Sequence, residues 1–459
     1  MPSVSELPKL EHIAKTLHER KRTKLVAIVQ GLPGSGKTRS IISLLHKFNS
    51  VVIFCEPRRQ LRKWAYIEIM NRGMRAFEFV AKDELENCPL KGVDTEDWLR
   101  YVRKCLEFKR AGTCSECPFV KQIRELIAFS LRGGVIVTTH LLLPLVNAVT
   151  RPDVIIVDEA EELINSLSNF SIDEETVNKM LEEGDEIDKE IAKHIVKKWY
   201  YDPSTRRYWF RISVLKAPLI VFLSATWKKP FESLLQFRYI PRYYEVRTRN
   251  VAKQFIIYNI ERLVEDRMGE WFRQYLQAIG DIAEESVLHG LTVGIVTRKN
   301  EFADKIGYYL LGRGIDAYWG GDYRKARDHN VVIIVPGNKL FRGLSLDRDV
   351  VICDFQHHDP LRMLHPAIED AASTVFSTPI TDFNKLLCQA QNVQAYFRFI
   401  RVHSKPHIIV MLDARAYEAT HKFFRSYIEK YCEIEQVRGL QNAVAAFRRV
   451  LPRALAPKI

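Results

Sequence analysis

Apolar residues in this chain gather in short unbroken runs rather than alternating with polar ones. Leu25 to Val29, Val51 to Cys55, Val135 to Val137, Val154 to Val157 and Leu219 to Leu223 are such runs. Runs this short and this apolar predict strands buried on both faces, as in a parallel sheet, with segments such as Arg39 to Phe48 forming the covering helices. A second series begins near residue 245, with strands expected at Thr292 to Val296, Val331 to Val335, Val350 to Cys353 and His407 to Leu412. The fold class is therefore α/β, built on two sheets of similar rhythm. With 459 residues, two or three domains are expected. No finer internal repeat and no low-complexity segment is present.

The rhythm breaks twice. Between Phe79 and Leu131 it gives way to a cysteine-rich stretch. From Glu162 to Trp209 an acidic, helical pattern is closed by Lys197-Lys198-Trp199-Tyr200-Tyr201 and Arg206-Arg207-Tyr208-Trp209-Phe210-Arg211. Interleaved rings and cations of this kind either stack bases and grip phosphates or pack a small insertion.

The first strand runs into Gly31-Leu32-Pro33-Gly34-Ser35-Gly36-Lys37-Thr38. Gly31, Gly34 and Gly36 let backbone N–H groups curl around a polyphosphate at the start of a helix. Lys37 then reaches the β- and γ-phosphates, and Thr38 is placed to hold Mg²⁺. The strand at Val154 to Val157 ends in Asp158-Glu159, where Asp158 would hold Mg²⁺ through water and Glu159 would orient and deprotonate the attacking water. Ser224-Ala225-Thr226 closes another strand with small hydroxyl residues that could couple a γ-phosphate sensor to a nucleic-acid groove. Downstream, Gln394 to Arg401 is expected on a helix that puts Arg398 and Arg401 on one face, either as surface charge or, aimed across a cleft at a γ-phosphate, as arginine fingers.

A net charge of +13 makes nucleic acid the first partner to consider. Arg58 and Arg59, which leave the strand at Val51 to Cys55, together with Thr139 and Thr226 at other strand ends, are the candidate contacts. No apolar run approaches the roughly 20 residues that span a bilayer, and Met1 to Arg22 lacks an apolar signal core. The expectation is no membrane partner and a cytoplasmic or nucleoid/nuclear location. Four of the eight cysteines, Cys88, Cys105, Cys114 and Cys117, crowd into one segment, and only Cys114 and Cys117 form a short knuckle. That spacing favours a [4Fe–4S] cluster, with Zn²⁺ and unrelated buried thiols as the alternatives.

In motif order from the phosphate-binding loop to about Tyr417, the chain resembles the XPD/DinG-like helicases of superfamily 2, the branch bearing an iron–sulfur cluster. Cys117-Pro118-Phe119 and the strand Gly134 to Pro144 look like that family's last cluster cysteine and its following strand. Asp158-Glu159-Ala160 looks like its acidic box, Ser224-Ala225-Thr226 like motif III, Gly343 like the glycine of motif V, and Gln394, Arg398 and Arg401 like motif VI. The resemblance implies two RecA-like P-loop motor domains that bind ATP and Mg²⁺ between them, with a cluster insertion and a small helical arch-like insertion in the first. The corresponding segments are 1–78, 134–161 and 213–240 for the first motor domain, 79–133 for the cluster, 162–212 for the arch and 241–459 for the second motor domain. It further implies a monomeric DNA helicase moving 5′→3′ on single-stranded or forked DNA, with RNA as another substrate. A translocase that does not unwind, or a binding regulator with a degenerate motor, shares the motifs. The chain departs from the family at Glu161, where His is usual, at Phe397, where motif VI has glycine, and at Ser345, where motif V has an acid.

Overall fold

The computed structural model describes residues 25–48, 50–88, 117–166, 171–184, 186–210, 215–228, 231, 240–246, 251–263, 269–320, 323–336, 346–356, 380–401 and 403–456. Cys105, Cys114, Gly343 and Ser345 lie outside these described residues.

The first sheet is built around β1 (Leu25–Gln30), which leads through the glycine-rich loop into α1 (Lys37–Leu44). β2 (Val51–Glu56), α2 (Arg59–Asn71) and β3 (Ala76–Glu78) follow. α3 (Pro118–Leu131) then packs beside β4 (Gly134–Thr139), and β5 (Val154–Val157) runs into α4 (Ala160–Ser166). Every pairing in this sheet is parallel, so the apolar runs are covered on both faces. Val29, Val52 and Phe54 face α1 and α2, while Ile28, Ile53 and Ile155 face the opposite side.

The segment after α4 is not purely helical. β6 (Ser171–Asp173), α5 (Glu174–Glu183), α6 (Glu186–Lys198), β7 (Tyr200–Asp202) and β8 (Arg207–Trp209) form a helical pair on a small antiparallel sheet ordered β6-β8-β7. The basic-aromatic stretch supplies the β7–β8 hairpin because aromatic residues fit a pleated, half-buried surface. Its rings pack on one another, Tyr201 on Tyr208 at 4.9 Å and Trp199 on Phe210 at 5.5 Å, with Phe210 1% exposed.

β9 (Leu219–Ser224) and β10 (Ile240–Glu245) complete the order β10-β1-β9-β5-β2-β4-β3. β10 pairs with β1 along its whole length, and the Val246 N–H continues the ladder to the Gln30 carbonyl at 2.7 Å. The first sheet therefore extends past the 240/241 boundary expected from sequence.

The second sheet begins with β11 (Gln254–Asn259) and α7 (Glu270–Leu288), followed by β12 (Val293–Val296), α8 (Asn300–Gly312), β13 (Ala317–Tyr318), β14 (Val331–Ile334) and β15 (Val350–Cys353). α9 (Ile380–Tyr396), β16 (Ile408–Met411), α10 (Ala414–Tyr431), β17 (Cys432–Val437) and α11 (Leu440–Leu455) end it. Its order is β13-β14-β12-β15-β16-β11-β17, again wholly parallel. One apolar cluster joins the two sheets, reaching from Phe222 and Trp227 to Phe397 and Phe424. Among the described residues no helix is long and apolar enough to cross a membrane.

The helix expected to carry Arg398 and Arg401 stops at Tyr396. From there the N–H groups of Arg398, Phe399 and Ile400 bond three residues back, a tighter winding. Tyr396, Phe397, Phe399 and Ile400 are all at most 1% exposed, so the segment is buried all round and has no single solvent face. Phe399 seats its ring against Gly294 of β12, where a Cβ would come within 2.4 Å of Phe399 Cγ. Gly294→Ala should therefore cost about 1–3 kcal/mol through overpacking, read as a lower denaturation midpoint in urea.

Candidate nucleotide site between the two sheets

Leu32 to Ser35 form a tight turn closed by the Ser35 N–H on the Leu32 carbonyl at 3.0 Å. Gly34 at φ 80° and Gly36 at φ 82° adopt the left-handed region that glycine tolerates. Space is equally restrictive at Gly31, where a Cβ would lie 2.7 Å from the Val246 carbonyl oxygen. Lys37 opens α1, and its Nζ donates to the carbonyls of Gly31 at 2.8 Å and Leu32 at 3.0 Å. Burial pulls its amine down to about 8, against the attraction of Asp158, Glu161 and Glu159.

The strand order sets β5 within reach of α1. Thr38 donates from Oγ1 to Asp158 Oδ2 at 2.5 Å, joining the loop to the acidic pair. Burial and the charge of Glu159 push Asp158 up to about 6, while the Thr38 bond and Lys37 oppose the shift. The backbone around Asp158 is pinned on both sides. Its N–H donates to the Cys55 carbonyl at 2.9 Å, and His140 Nε2 donates to its carbonyl at 2.8 Å. Burial drives His140 down to about 3, so the ring is neutral and its Nε2 carries the hydrogen. Glu159 sits at φ 45°, strained for a residue with a side chain, and its Oε2 is buried with no hydrogen-bond partner.

Two carboxylates absent from the sequence-based site also belong here. Glu161 accepts at Oε1 from the Ser224 hydroxyl and, at 2.9 Å each, from the Thr226 N–H and hydroxyl. Only its departure from the family's usual His signalled it. Glu56, the last residue of β2, is 1% exposed and neither oxygen has a hydrogen-bond partner. Burial, then the charges of Asp158 and Glu159, hold its carboxyl well above the usual range. A single acid after an apolar run gave no signal to find it.

The second sheet meets this site directly. Gln394 donates from Nε2 to the Thr226 hydroxyl at 3.1 Å, so Glu161, Thr226 and Gln394 form one chain across the domains. Arg401 lies against the glycine-rich loop: a Cβ on Gly34 would sit 3.1 Å from its carbonyl oxygen and 3.2 Å from its Cδ. Burial and the charge of Arg398 lower Arg401 to about 10, and the Arg398 side chain is itself buried. His403, which the sequence did not point to, bonds through Nε2 to the Pro33 carbonyl at 2.8 Å.

The candidate nucleic-acid residues fare differently. Thr226 is 0% exposed and its hydroxyl is engaged by Glu161 and Gln394, so it faces the domain junction rather than a groove. Arg59 pairs with Asp83 and, at 3.5 Å, with Glu84. Arg58 is half-buried with its charge acting on His140, and Thr139 is buried at the end of β4. Of the cysteines, Cys117 caps α3 and Cys88 is buried. Among the described residues no cluster of three or more His, Cys, Asp or Glu forms a metal site.

No protein-family model and no curated protein matches the sequence. Solved structures do match. An XPD helicase is 16% identical with a TM-score of 0.58, over 94% of this chain and 98% of that one. An apo XPD is 13% identical at a TM-score of 0.55, over 94% and 100% of the two chains. S. tokodaii Xpd4 is 12% identical at a TM-score of 0.54, over 94% and 99%.

The buried carboxylate at the centre of the junction has a measurable signature. Burial pushes Glu161 up to about 7. Folding therefore takes up a proton between the ordinary carboxylate range and about pH 7, and this group's contribution to stability falls as pH rises through that window, by at most about 1.4 kcal/mol per pH unit. Glu161→Gln removes the titration, so its melting temperature should decline less than the unsubstituted protein's between about pH 5 and pH 7.

Proposed function

We propose that this chain, whose fold is similar to that of XPD helicases with two parallel-sheet domains resembling RecA-like motor domains, is an ATP-driven nucleic-acid motor of superfamily 2, and specifically a DNA helicase moving 5′→3′ on single-stranded or forked DNA. The observation that carries this reading is the meeting of both sheets at one phosphate-binding loop, with Thr38 bonded to Asp158 on one side and Arg401 against Gly34 on the other. The net charge of +13 and the likeness to XPD helicases support a nucleic-acid track.

The residues fit Mg²⁺·ATP. The loop has glycine at Gly31, where a Cβ would collide, and at Gly34, where φ is positive, a cationic Lys37 at its base, and a hydroxyl–carboxylate pair of the kind that holds Mg²⁺. When bound, Mg²⁺ neutralises phosphate charge and makes the γ-phosphoryl group electrophilic. Lys37 and the loop N–H groups would bind the phosphates, and Thr38 and Asp158 would hold the cation. Glu159, with Oε2 unpartnered, orients the attacking water and takes its proton. Arg398 and Arg401 bring positive charge from the second domain, and the Glu161–Thr226–Gln394 chain carries the resulting closure between sheets.

The cluster belongs to the same proposal, with Cys88, Cys105, Cys114 and Cys117 as ligands of a [4Fe–4S] centre and Zn²⁺ as the alternative. Gln122 of α3 bonds both the N–H and the carbonyl of Val80, at 2.9 and 3.0 Å, and Phe79 meets Phe119 at 5.6 Å. These contacts draw the segment leading to Cys88 against the helix that Cys117 caps, which supports a shared site. A second reading is a motor that translocates without separating strands. The burial of Thr226 and the engagement of Arg59 by Asp83 favour it, since both withdraw expected contacts from nucleic acid.

Lys37→Ala should abolish hydrolysis of ATP stimulated by single-stranded DNA, and near-normal turnover in that variant would overturn the motor. Duplexes with a 5′ or a 3′ tail then separate the two readings, because a 5′→3′ helicase unwinds only the former and a non-unwinding translocase neither. Anaerobically purified protein should contain iron and acid-labile sulfide in equal amounts, whereas stoichiometric zinc without sulfide would replace the cluster.

A further inference from the structure

The turn that forms the front of the phosphate-binding loop is of type II. Pro33 stands at its second position, Gly34 at its third with φ 80°, and the Ser35 N–H closes it on the Leu32 carbonyl at 3.0 Å. What separates this turn from a type I turn is the orientation of the middle peptide, Pro33–Gly34. The two orientations interconvert by rotation about the bonds flanking that peptide, and glycine at the third position makes both accessible. Because a trans peptide is planar, its carbonyl and its N–H point in opposite directions. Whatever holds the Pro33 carbonyl therefore also fixes where the Gly34 N–H points.

The group that holds it comes from the other domain. His403 Nε2 lies 2.8 Å from the Pro33 oxygen, across 370 residues of sequence. The ring is 3% exposed and braced by Tyr427 at 5.8 Å and Phe397 at 6.5 Å between centroids. The backbone of His403 is tied down as well, its carbonyl accepting from the Ala252 N–H at 2.7 Å. Burial keeps the imidazole below its usual range, so at neutral pH it carries a single N–H, and the Pro33 carbonyl assigns that hydrogen to Nε2.

We propose that His403 is a positioning residue for nucleotide binding: by holding the Pro33 carbonyl it turns the Gly34 N–H inward, toward the phosphates. The inference rests on the assignment of the loop as a nucleotide site. It makes one phosphate donor of the first domain available only when the second domain is docked. Binding and docking are then coupled at the loop itself, in addition to any coupling through the arginines and the Glu161–Thr226–Gln394 chain.

The test is binding of a fluorescent ADP analogue to four full-length proteins: unsubstituted, His403→Phe, His403→Gln and Lys37→Ala. Phenylalanine keeps the packing against Phe397 and Tyr427 but removes the bond to Pro33 and the longer one, 3.5 Å, that Nδ1 accepts from the Tyr427 hydroxyl. His403→Phe should weaken binding about tenfold, as expected for losing the Pro33 bond in a buried site, since the Tyr427 bond does not touch the loop. Glutamine places an N–H near the position of Nε2 and should restore affinity to within about threefold of the unsubstituted value. Unchanged affinity in His403→Phe, or glutamine as weak as phenylalanine, overturns the proposal. Lys37→Ala separates this from the site itself: if it binds the analogue normally, the nucleotide assignment fails, and if it loses binding while His403→Phe does not, only the role of His403 fails.

Discussion

Negative charge buried at the C-terminal edge of the first sheet is the constraint around which the domain junction is arranged. Glu56, Asp158 and Glu161 are each at most 8% exposed, with Glu159 beside them. Carboxylates out of water are costly unless they are paired, protonated or matched by a cation. The chain answers each in a different way. Asp158 receives the Thr38 hydroxyl, Glu161 receives three donors from the strand end at Ser224 to Thr226, and Glu56 is held toward its protonated form. Lys37 and Arg401 supply the nearest positive charge, one from each domain. The second domain thus contributes to making the first domain's acidic edge tolerable, and the proposed nucleotide site lies where that balance is made.

The two domains touch the site by separate routes. One runs from the acidic box through Glu161 and Thr226 to Gln394, and is polar from end to end. The other runs from the glycine-rich loop to Arg401 and His403, through the close approach of Arg401 to Gly34 and the His403 bond to the Pro33 carbonyl. Gln394, Arg401 and His403 all lie within ten residues along the chain, on the end of α9 and the segment after it. That segment is seated by Phe399 against Gly294 and by the Arg401 N–H on Asp347 at 2.9 Å. A small displacement there would therefore act on both routes at once.

Much of this architecture was legible in the sequence, because strands buried on both faces must be apolar throughout. The runs at β1, β2, β5, β9 and β15 fall where they were read, within about one residue at each end. The glycine-rich loop was legible as a strand-to-helix turn for a related reason, since its glycines and its Lys37-Thr38 follow a strand and open a helix. Side-chain destinations were not legible. Arg398 and Arg401 were given a helical face, yet the aromatic residues around them are drawn into the core and the helix ends before them. Thr226 was read as facing a groove because a hydroxyl at a strand end usually meets solvent or ligand, and only the opposing Gln394 shows otherwise. Glu56 closes an apolar strand and His403 sits in a mostly polar stretch between Arg401 and Lys405, and their roles follow from what distant segments bring to them.

The apolar cluster shared by the two sheets, from Phe222 and Trp227 to Phe397 and Phe424, gives the junction a thermal character. Parting the sheets wets hydrocarbon and aromatic surface, so opening carries a positive heat-capacity change. The free energy of closure is then a curve in temperature rather than a line, with its driving force fading on cooling as hydrophobic association weakens. In the cold, the polar contacts at Thr226 and Pro33 would carry a larger share of the work of keeping the domains together. The enthalpy assigned to closure would change continuously with the temperature at which it is measured.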